Sequence, residues 1–557
     1  MNISPASGAS TDSPSTDQQQ EGHIEGRIVR WDPLQFFQQW AQNLGPVGSF
    51  FWRTLSVATS IYDGVGSAYQ FFCDMVIDGN HPAKQLKYRF MLAEIALVPE
   101  GWIQRLMEGV KESNPFTRSV HEALKLIIHP DHEIASNYRE RHHRFILALR
   151  EALQTDEYTF EKSQRARGQK YCWELEVIDM LISNLYQAQL YTFTENLLTW
   201  AITKGQQIRV PGAEVDLGTL SVSEMHEAVK SLPQQDLAPL YSIWYHSLVG
   251  TFALGFDPML EGNPPYALFD VFVADKPIRI IRTAAPVYSR KVEGQYQSKV
   301  FMTPEYQAFI DWIAREGKTM IYCSLQSLTD GSEARYNAAI SEGFTAAGLN
   351  ESFCALDQDF VDAAKAPSNS EGFKLYLLST LYNDQHFQLP KSWKENRTFL
   401  GLLREALDQI SDVIFERKPE LDEEERRDFI DIFYSYFVFC QIGFFRPDYF
   451  TICCRDAADR HGKVLFLLHL LITLFEGKDP KDSNFERVVL TFAPPLLGRK
   501  MPMLQSRFDR LVAAYSRMLN DGVKNFFFTS GETFPLSHTI TRRDYQADGW
   551  NDQIRSS

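Results

Sequence analysis

The sequence predicts an α/β protein: a helical N-terminal domain, then an α/β domain whose largely parallel central sheet is flanked by helices. Three observations carry this expectation. From Trp31 to about Lys204, apolar residues recur three and four apart with no strand-like alternation. A turn-rich stretch, DPMLEGNPPYA at 257–267, then changes the texture. Beyond it, short β-rich runs alternate with helical segments, the pattern of a parallel sheet built from strand–helix–strand units. At 557 residues the chain also exceeds what one core usually serves, so two or more domains are expected.

The elements follow in order. Residues 1–27 are rich in Ser, Thr, Gln and Pro, almost without apolar residues, and read as a disordered tail. HIEGR at 23–27 offers an accessible basic cleavage point. Residues 28–256 read as the helical domain. DPLQFFQQWAQNL, KYRFMLAEIALVPEGWIQRLMEGV and the run ending at Ile202 supply its apolar stripes. Ser221 precedes Glu224 by three, the spacing of a capping box, and another helix is expected from about Asp236 to Phe252. The α/β domain is expected over 257–535, with strands at 277–284, 319–325, 352–357 and 449–454 and helices between them. Two more helices are expected near 485–493 and 504–520, then a polar tail from 536 to 557.

Composition excludes several classes. Hydrophobic residues are 44% and charged residues 23%, with 40 phenylalanines, as in a folded protein with extensive burial. A net charge of -15 speaks against a broad nucleic-acid surface. Seven cysteines, at 73, 172, 323, 354, 440, 453 and 454, are unclustered apart from the last pair, which fits a reducing compartment. No C-x-x-C set suggests zinc, and no cofactor or metal is expected. The N-terminus lacks an apolar signal core, and Val464–Phe475, broken by His469 and Thr473, is too short to span a bilayer. A soluble protein without a transmembrane segment is expected, cytoplasmic or delivered into a host cytosol.

The stretch with chemistry is YFTICCRDAADRHGKVLF. A strand ends at Cys454, Arg460 follows six residues later, and Gly462 precedes an apolar helix from about Lys463. A loop at a helix N-terminus presents backbone N–H groups and the positive end of the dipole, an environment for a phosphate and for a thiolate. An arginine closing the loop can hold two phosphoryl oxygens. In open α/β sheets, sites lie at the carboxyl ends of strands, where this loop falls.

Cys454-Arg455-Asp456-Ala457-Ala458-Asp459-Arg460 resembles the Cys-x5-Arg loop of the cysteine-based phosphatases. Within that superfamily it is most similar to the myotubularin and Sac-type phosphoinositide phosphatases. The Asp459–Arg460 pair and Gly462 also match the secreted bacterial inositol-phosphate phosphatases. The resemblance covers about thirty residues. It implies that Cys454 attacks phosphorus and forms a cysteinyl-phosphate, that Arg460 binds the phosphoryl oxygens, and that Asp459 or Asp456 protonates the leaving oxygen. Arg455, Ala457, Ala458, His461, Gly462 and Lys463 would surround a phosphorylated lipid or inositol phosphate. Two departures are plain. His461 stands where these loops carry a hydroxyl, and Ala457 where many carry glycine. No tryptophan-proline-aspartate loop supplies a separate acid, and Asp357, Asp359 and Asp384 are the substitutes. A degenerate, non-catalytic binding or scaffold protein of the same fold, such as a secreted bacterial effector, is the alternative. Its helical domain would carry the partner surface.

Other clusters read as structural. His129, Asp131, His132, His142 and His143 lie in a charged turn and helix. Glu333 and Arg335 open a helix after the Cys323 strand, where Arg335 could reach a shared crevice. The acidic run around 420–425 suits a helix first turn. Cys453 should face away from Cys454, because adjacent strand residues alternate.

Overall fold

The computed structural model describes residues 82–99, 101–102, 104, 114–128, 138–168, 172–232, 256–290, 299–329, 331–357, 363–382, 384, 386–499, 502–530 and 536–543. The expected tail, the helical segments before residue 82 and the helix near 236–252 lie outside them. The described helices before the sheet are α1 (Pro82–Ile95), α2 (Pro115–Ile128), α3 (Tyr138–Leu153), α4 (Asp156–Ala166), α5 (Trp173–Tyr186), α6 (Tyr191–Arg209) and α7 (Val222–Lys230). The capping box at the start of α7 is present: Ser221 accepts from the Glu224 amide while the Glu224 carboxylate accepts from the Ser221 amide.

The remaining chain supplies β1 (Tyr266–Val273), β2 (Lys276–Arg282), β3 (Val287–Arg290), β4 (Lys299–Met302), α8 (Pro304–Arg315), β5 (Met320–Ser324), α9 (Glu333–Ala346), β6 (Phe353–Leu356), α10 (Ser370–Thr380) and β7 (Phe387–Gln388). It continues through α11 (Lys391–Glu395), α12 (Arg397–Gln409), α13 (Glu423–Phe445), β8 (Tyr449–Cys453), α14 (Asp459–Phe475), α15 (Asn484–Arg499), α16 (Gln505–Met518), α17 (Asp521–Ser530) and β9 (Leu536–Ile540). The sheet order is β7-β6-β5-β8-β2-β1-β9. The four central strands β6, β5, β8 and β2 are parallel. Strands β7, β1 and β9 join antiparallel at the two sides. Thus Leu536–Ile540, expected within the polar tail, is an edge strand. Its Leu536 and Ile540 point inward between more exposed residues, a short alternation that the polar composition hides.

Strands β5 (MIYCS) and β8 (YFTIC) are buried on both sides, as central parallel strands must be when helices cover each face. Their side chains divide by parity. Ile321, Cys323, Phe450, Ile452 and Cys454 enter a core shared with α6, α7, α10 and α12 through α16. Met320, Tyr322, Tyr449 and Cys453 enter a second core shared with α2, α3, α5, α8 and α9. Cys453 and Cys454 therefore serve opposite faces. The helices before residue 231 share these cores with the sheet, and Ile77 onward forms one compact unit. Arg150 of α3 reinforces that union, forking its guanidinium between Glu305 of α8 and Asp257 beside the sheet, at 2.6 to 3.0 Å.

Helix α13 is long and apolar enough to cross a membrane by length and composition, but 83% of its most apolar window is buried inside the fold. Its acidic start is explained by capping: Asp422 accepts from the Glu425 amide at 2.8 Å, and Glu425 accepts from the Asp422 amide at 3.0 Å. The cysteines among the described residues are free thiols.

Helices α6 and α7 approach so closely that a methyl group on Gly205 would lie 1.8 Å from the Ala228 carbonyl oxygen. Backbone cannot yield as a flexible side chain can. Gly205→Ala is expected to cost roughly 2–3 kcal/mol despite alanine's better helix propensity, read as a lower urea midpoint with unchanged slope.

Candidate functional site

Strands β5 and β8 are parallel neighbours, in register from Met320 opposite Tyr449 to Ser324 opposite Cys453. Helix α9 leaves β5 toward one core, and α14 leaves β8 toward the other. The two connections diverge, which makes the carboxyl ends of these strands the topological switch point of the sheet, where open α/β sheets carry their sites. The loop 454–458 lies there and leads directly into the N-terminus of α14. The positive end of that helix dipole favours an anion at the loop.

The loop turns tightly. The Ala457 amide donates to the Cys454 carbonyl at 3.1 Å. Ala457 has φ +47, in the left-handed region. An L-residue pays about 1 kcal/mol for that conformation, yet the position is fully buried. The glycine-like turn is thus kept with an alanine. The amides of Ala458 and His461 favour the charged form of Cys454. Backbone N–H groups gathered around one point by a left-handed residue make an anion nest. Burial pushes the Cys454 thiol up, while the Arg460 charge and these two amides pull the other way without overcoming it.

Arg460 sits at the mouth between the two helices. It donates to the Leu325 carbonyl and to Glu333 Oε2, both at 2.9 Å, and its second terminal nitrogen pairs with Glu333 Oε1. Glu333 Oε2 also accepts from the Ser327 amide at 2.7 Å. A bidentate ion pair therefore clasps the first turns of α9 and α14 together. Of the two charged residues opening α9, it is Glu333 that reaches the crevice; Arg335 turns back to the Gly331 carbonyl.

The other expected site residues divide. The Arg455 side chain is half exposed, with its guanidinium 5.4 Å from the Phe256 ring. The Asp456 side chain is one-third exposed and lies 4.0 Å from Arg455. Asp459 accepts from the Leu504 amide at 2.9 Å, anchoring the entry to α16. Gly462 is a packing glycine: a methyl there would meet Met503 at 2.9 Å and Thr491 at 3.3 Å. Lys463 does not reach the loop. It is fully buried and pairs with Asp431 of α13, which also takes Arg510 at 2.8 and 2.9 Å. Burial lowers the Lys463 pKa to about 8. The His461 side chain is fully buried with neither ring nitrogen hydrogen-bonded, so it supplies no hydroxyl-like donor to the sulfur. Of the substitute acids, Asp357 is buried and accepts from Ser327 at 2.8 Å, Asp384 pairs with Lys394, and Asp359 lies outside the described residues. His142 packs against Tyr88 in the helical region, and His129, Asp131 and His132 lie outside the described residues.

Arg282, at the end of β2, was not singled out from the sequence. It is fully buried. It donates to the carbonyls of Pro264 (2.9 Å), Asp456 (3.0 Å) and Ala457 (3.4 Å) and to Asn263 Oδ1 (2.6 Å). Asn263 in turn donates to the Asp456 carbonyl at 3.0 Å. These bonds turn the loop's carbonyls down toward Arg282, which leaves its amides to face the sulfur. The signal was available in PIRIIRTA, where an arginine closes an apolar strand at its carboxyl end.

Among the described residues, the one group of three converging metal-ligand side chains lies away from this loop, toward the far end of α14. No protein-family model, curated protein or solved structure matches the chain.

Burial and the adjacent Arg282 charge lower the His461 pKa to about 3. The unfolded imidazole, near 6.5, takes its proton first, so this group makes stability rise with pH between about 3 and 6.5. Acidification through that window should remove as much as roughly 4 kcal/mol on this account. Denaturant titrations against pH should show a flatter acid limb for His461→Leu, with stability near pH 7 unchanged or higher.

Proposed function

We propose that the chain is a cysteine-dependent phosphatase of Cys-x5-Arg type, acting on a small, highly anionic phosphomonoester such as an inositol phosphate or phosphoinositide headgroup. The observation that carries this reading is the placement of Cys454 directly before the N-terminus of α14, where the Arg460 charge and the His461 and Ala458 amides favour its thiolate. The same N–H groups would meet phosphoryl oxygens carried by that sulfur. Cys454, as thiolate, attacks phosphorus; the S–P bond forms as the ester P–O bond breaks. Asp456 gives its proton to the leaving alkoxide, since Asp459 is engaged by the Leu504 amide. Water then attacks the phosphocysteine, Asp456 takes a proton from it, and phosphate leaves with the thiolate restored. Arg460 contributes charge at the mouth, and Arg455 supplies a second cation on the solvent side.

A second reading is a phosphatase-like binding protein without turnover, whose helical region carries the partner surface. It is favoured by the bidentate engagement of Arg460 with Glu333 and by the raised Cys454 thiol.

Phosphate release from a panel of inositol phosphates, phosphoinositides and phosphopeptides separates the two. The enzyme reading expects release that falls by at least roughly a thousandfold in Cys454→Ser. The binding reading expects no release, with tungstate still raising the melting temperature of the intact chain. Silence in both measurements would sink both readings.

A further inference from the structure

Three side chains from three elements meet on α14 well beyond the Cys454 loop: His469 of α14, Glu486 in the first turn of α15, and His538 in the middle of β9. His469 Nε2 lies 3.6 Å from Glu486 Oε2, and His538 Nε2 lies 3.9 Å from the same oxygen. All three ligand atoms lie within 4.8 Å of one another. The imidazole planes meet at 78° with centroids 4.6 Å apart, so the rings converge edge to face and do not stack.

The cluster is partly buried and incompletely paired. His469 is fully buried in an otherwise apolar stretch, and its Nε2 has no hydrogen-bond partner. Such an orphan typically costs about 1–3 kcal/mol, a cost that a ligand can remove. The outward nitrogens are engaged. His538 Nδ1 lies 2.9 Å from Glu476 Oε1, which also accepts the His538 amide. His469 Nδ1 lies 3.5 Å from the Thr473 hydroxyl. Histidines that ligate metals are held in this way, one nitrogen fixed by an oxygen partner and the other presented inward. The second oxygen of Glu486 lies 3.4 Å from Arg542. Bonds of about 2.0–2.2 Å in a tetrahedron place ligand atoms roughly 3.3–3.5 Å apart, so the two histidine–glutamate separations need to close by only a few tenths of an ångström, while the two imidazoles, within 4.8 Å of each other, would draw together by side-chain rotation.

We propose that His469, Glu486 and His538 form a zinc-type divalent metal site, with a fourth position open to water. Two imidazoles and one carboxylate are a donor set that suits zinc. The metal would pin the edge strand β9 to α14 and α15 and so fasten the helix that begins at the Cys454 loop. A metal-free cluster would instead use a protonated His538 between Glu476 and Glu486, and His469 Nε2 would have no role.

The test uses the tag-free full chain, stripped with a chelator and titrated with Co²⁺. The expected result is one equivalent taken up with tetrahedral d–d absorption, displaced by Zn²⁺, and a higher melting temperature with Zn²⁺. Glu486→Gln and His538→Asn, each folded by circular dichroism, should weaken Co²⁺ binding at least tenfold. Failure of the wild-type chain to bind one equivalent overturns the proposal, whatever the variants do. So does a thiolate-to-cobalt charge-transfer band, or binding that survives both substitutions unchanged.

Discussion

The pairing of β5 with β8 governs this end of the molecule. Because the helices that follow these two strands leave for opposite faces, the strand ends must part. The loop 454–458 occupies that opening and leads into the positive end of α14. That partial charge would repel Arg460, which belongs to the same first turn of α14. Glu333 compensates, and its position in the first turn of α9 is itself favourable. The bidentate pair thus satisfies two constraints together: it neutralises a cation at a positive helix end, and it closes the gap between diverging helices. The arginine is therefore already partnered.

Below the loop the logic reverses. Arg282 carries a charge with no carboxylate bonded to it and is solvated by carbonyl oxygens. A buried cation demands such oxygens, and two of those it takes belong to Asp456 and Ala457. The backbone that turns carbonyls toward Arg282 turns amides away from it, toward Cys454. The strained φ of Ala457 is kept because this pattern overdetermines it. Of the cations around the loop, Arg282 is spent on orienting it and Arg460 is clasped by Glu333, while Arg455 stays half exposed.

Much of this was legible in the sequence, for physical reasons. The four parallel strands announced themselves because strands buried on both faces are almost wholly apolar. The loop was visible because a cysteine, an arginine six residues on and a following apolar helix are local in the chain. What was not legible depended on distant partners. Lys463 reads as a substrate-binding cation beside the loop until Asp431 and Arg510, from helices on either side of it in the chain, surround it. Gly462 reads as part of the substrate loop until α15 presses against it. Strand β9 was hidden because only its two ends are apolar, and with it went His538. His469 looked like a mere interruption of an apolar run. One helix links these findings, since α14 carries the loop at its start and His469 further along.

The central claim is that the amides of the 454–461 turn form a phosphate nest around the Cys454 sulfur. A crystal structure of the protein with orthovanadate tests it most directly. Vanadium should be bonded to the Cys454 sulfur, with equatorial oxygens on the Ala458 and His461 amides. Vanadate bound elsewhere, or a Cys454 loop left empty at saturating concentration, would contradict it.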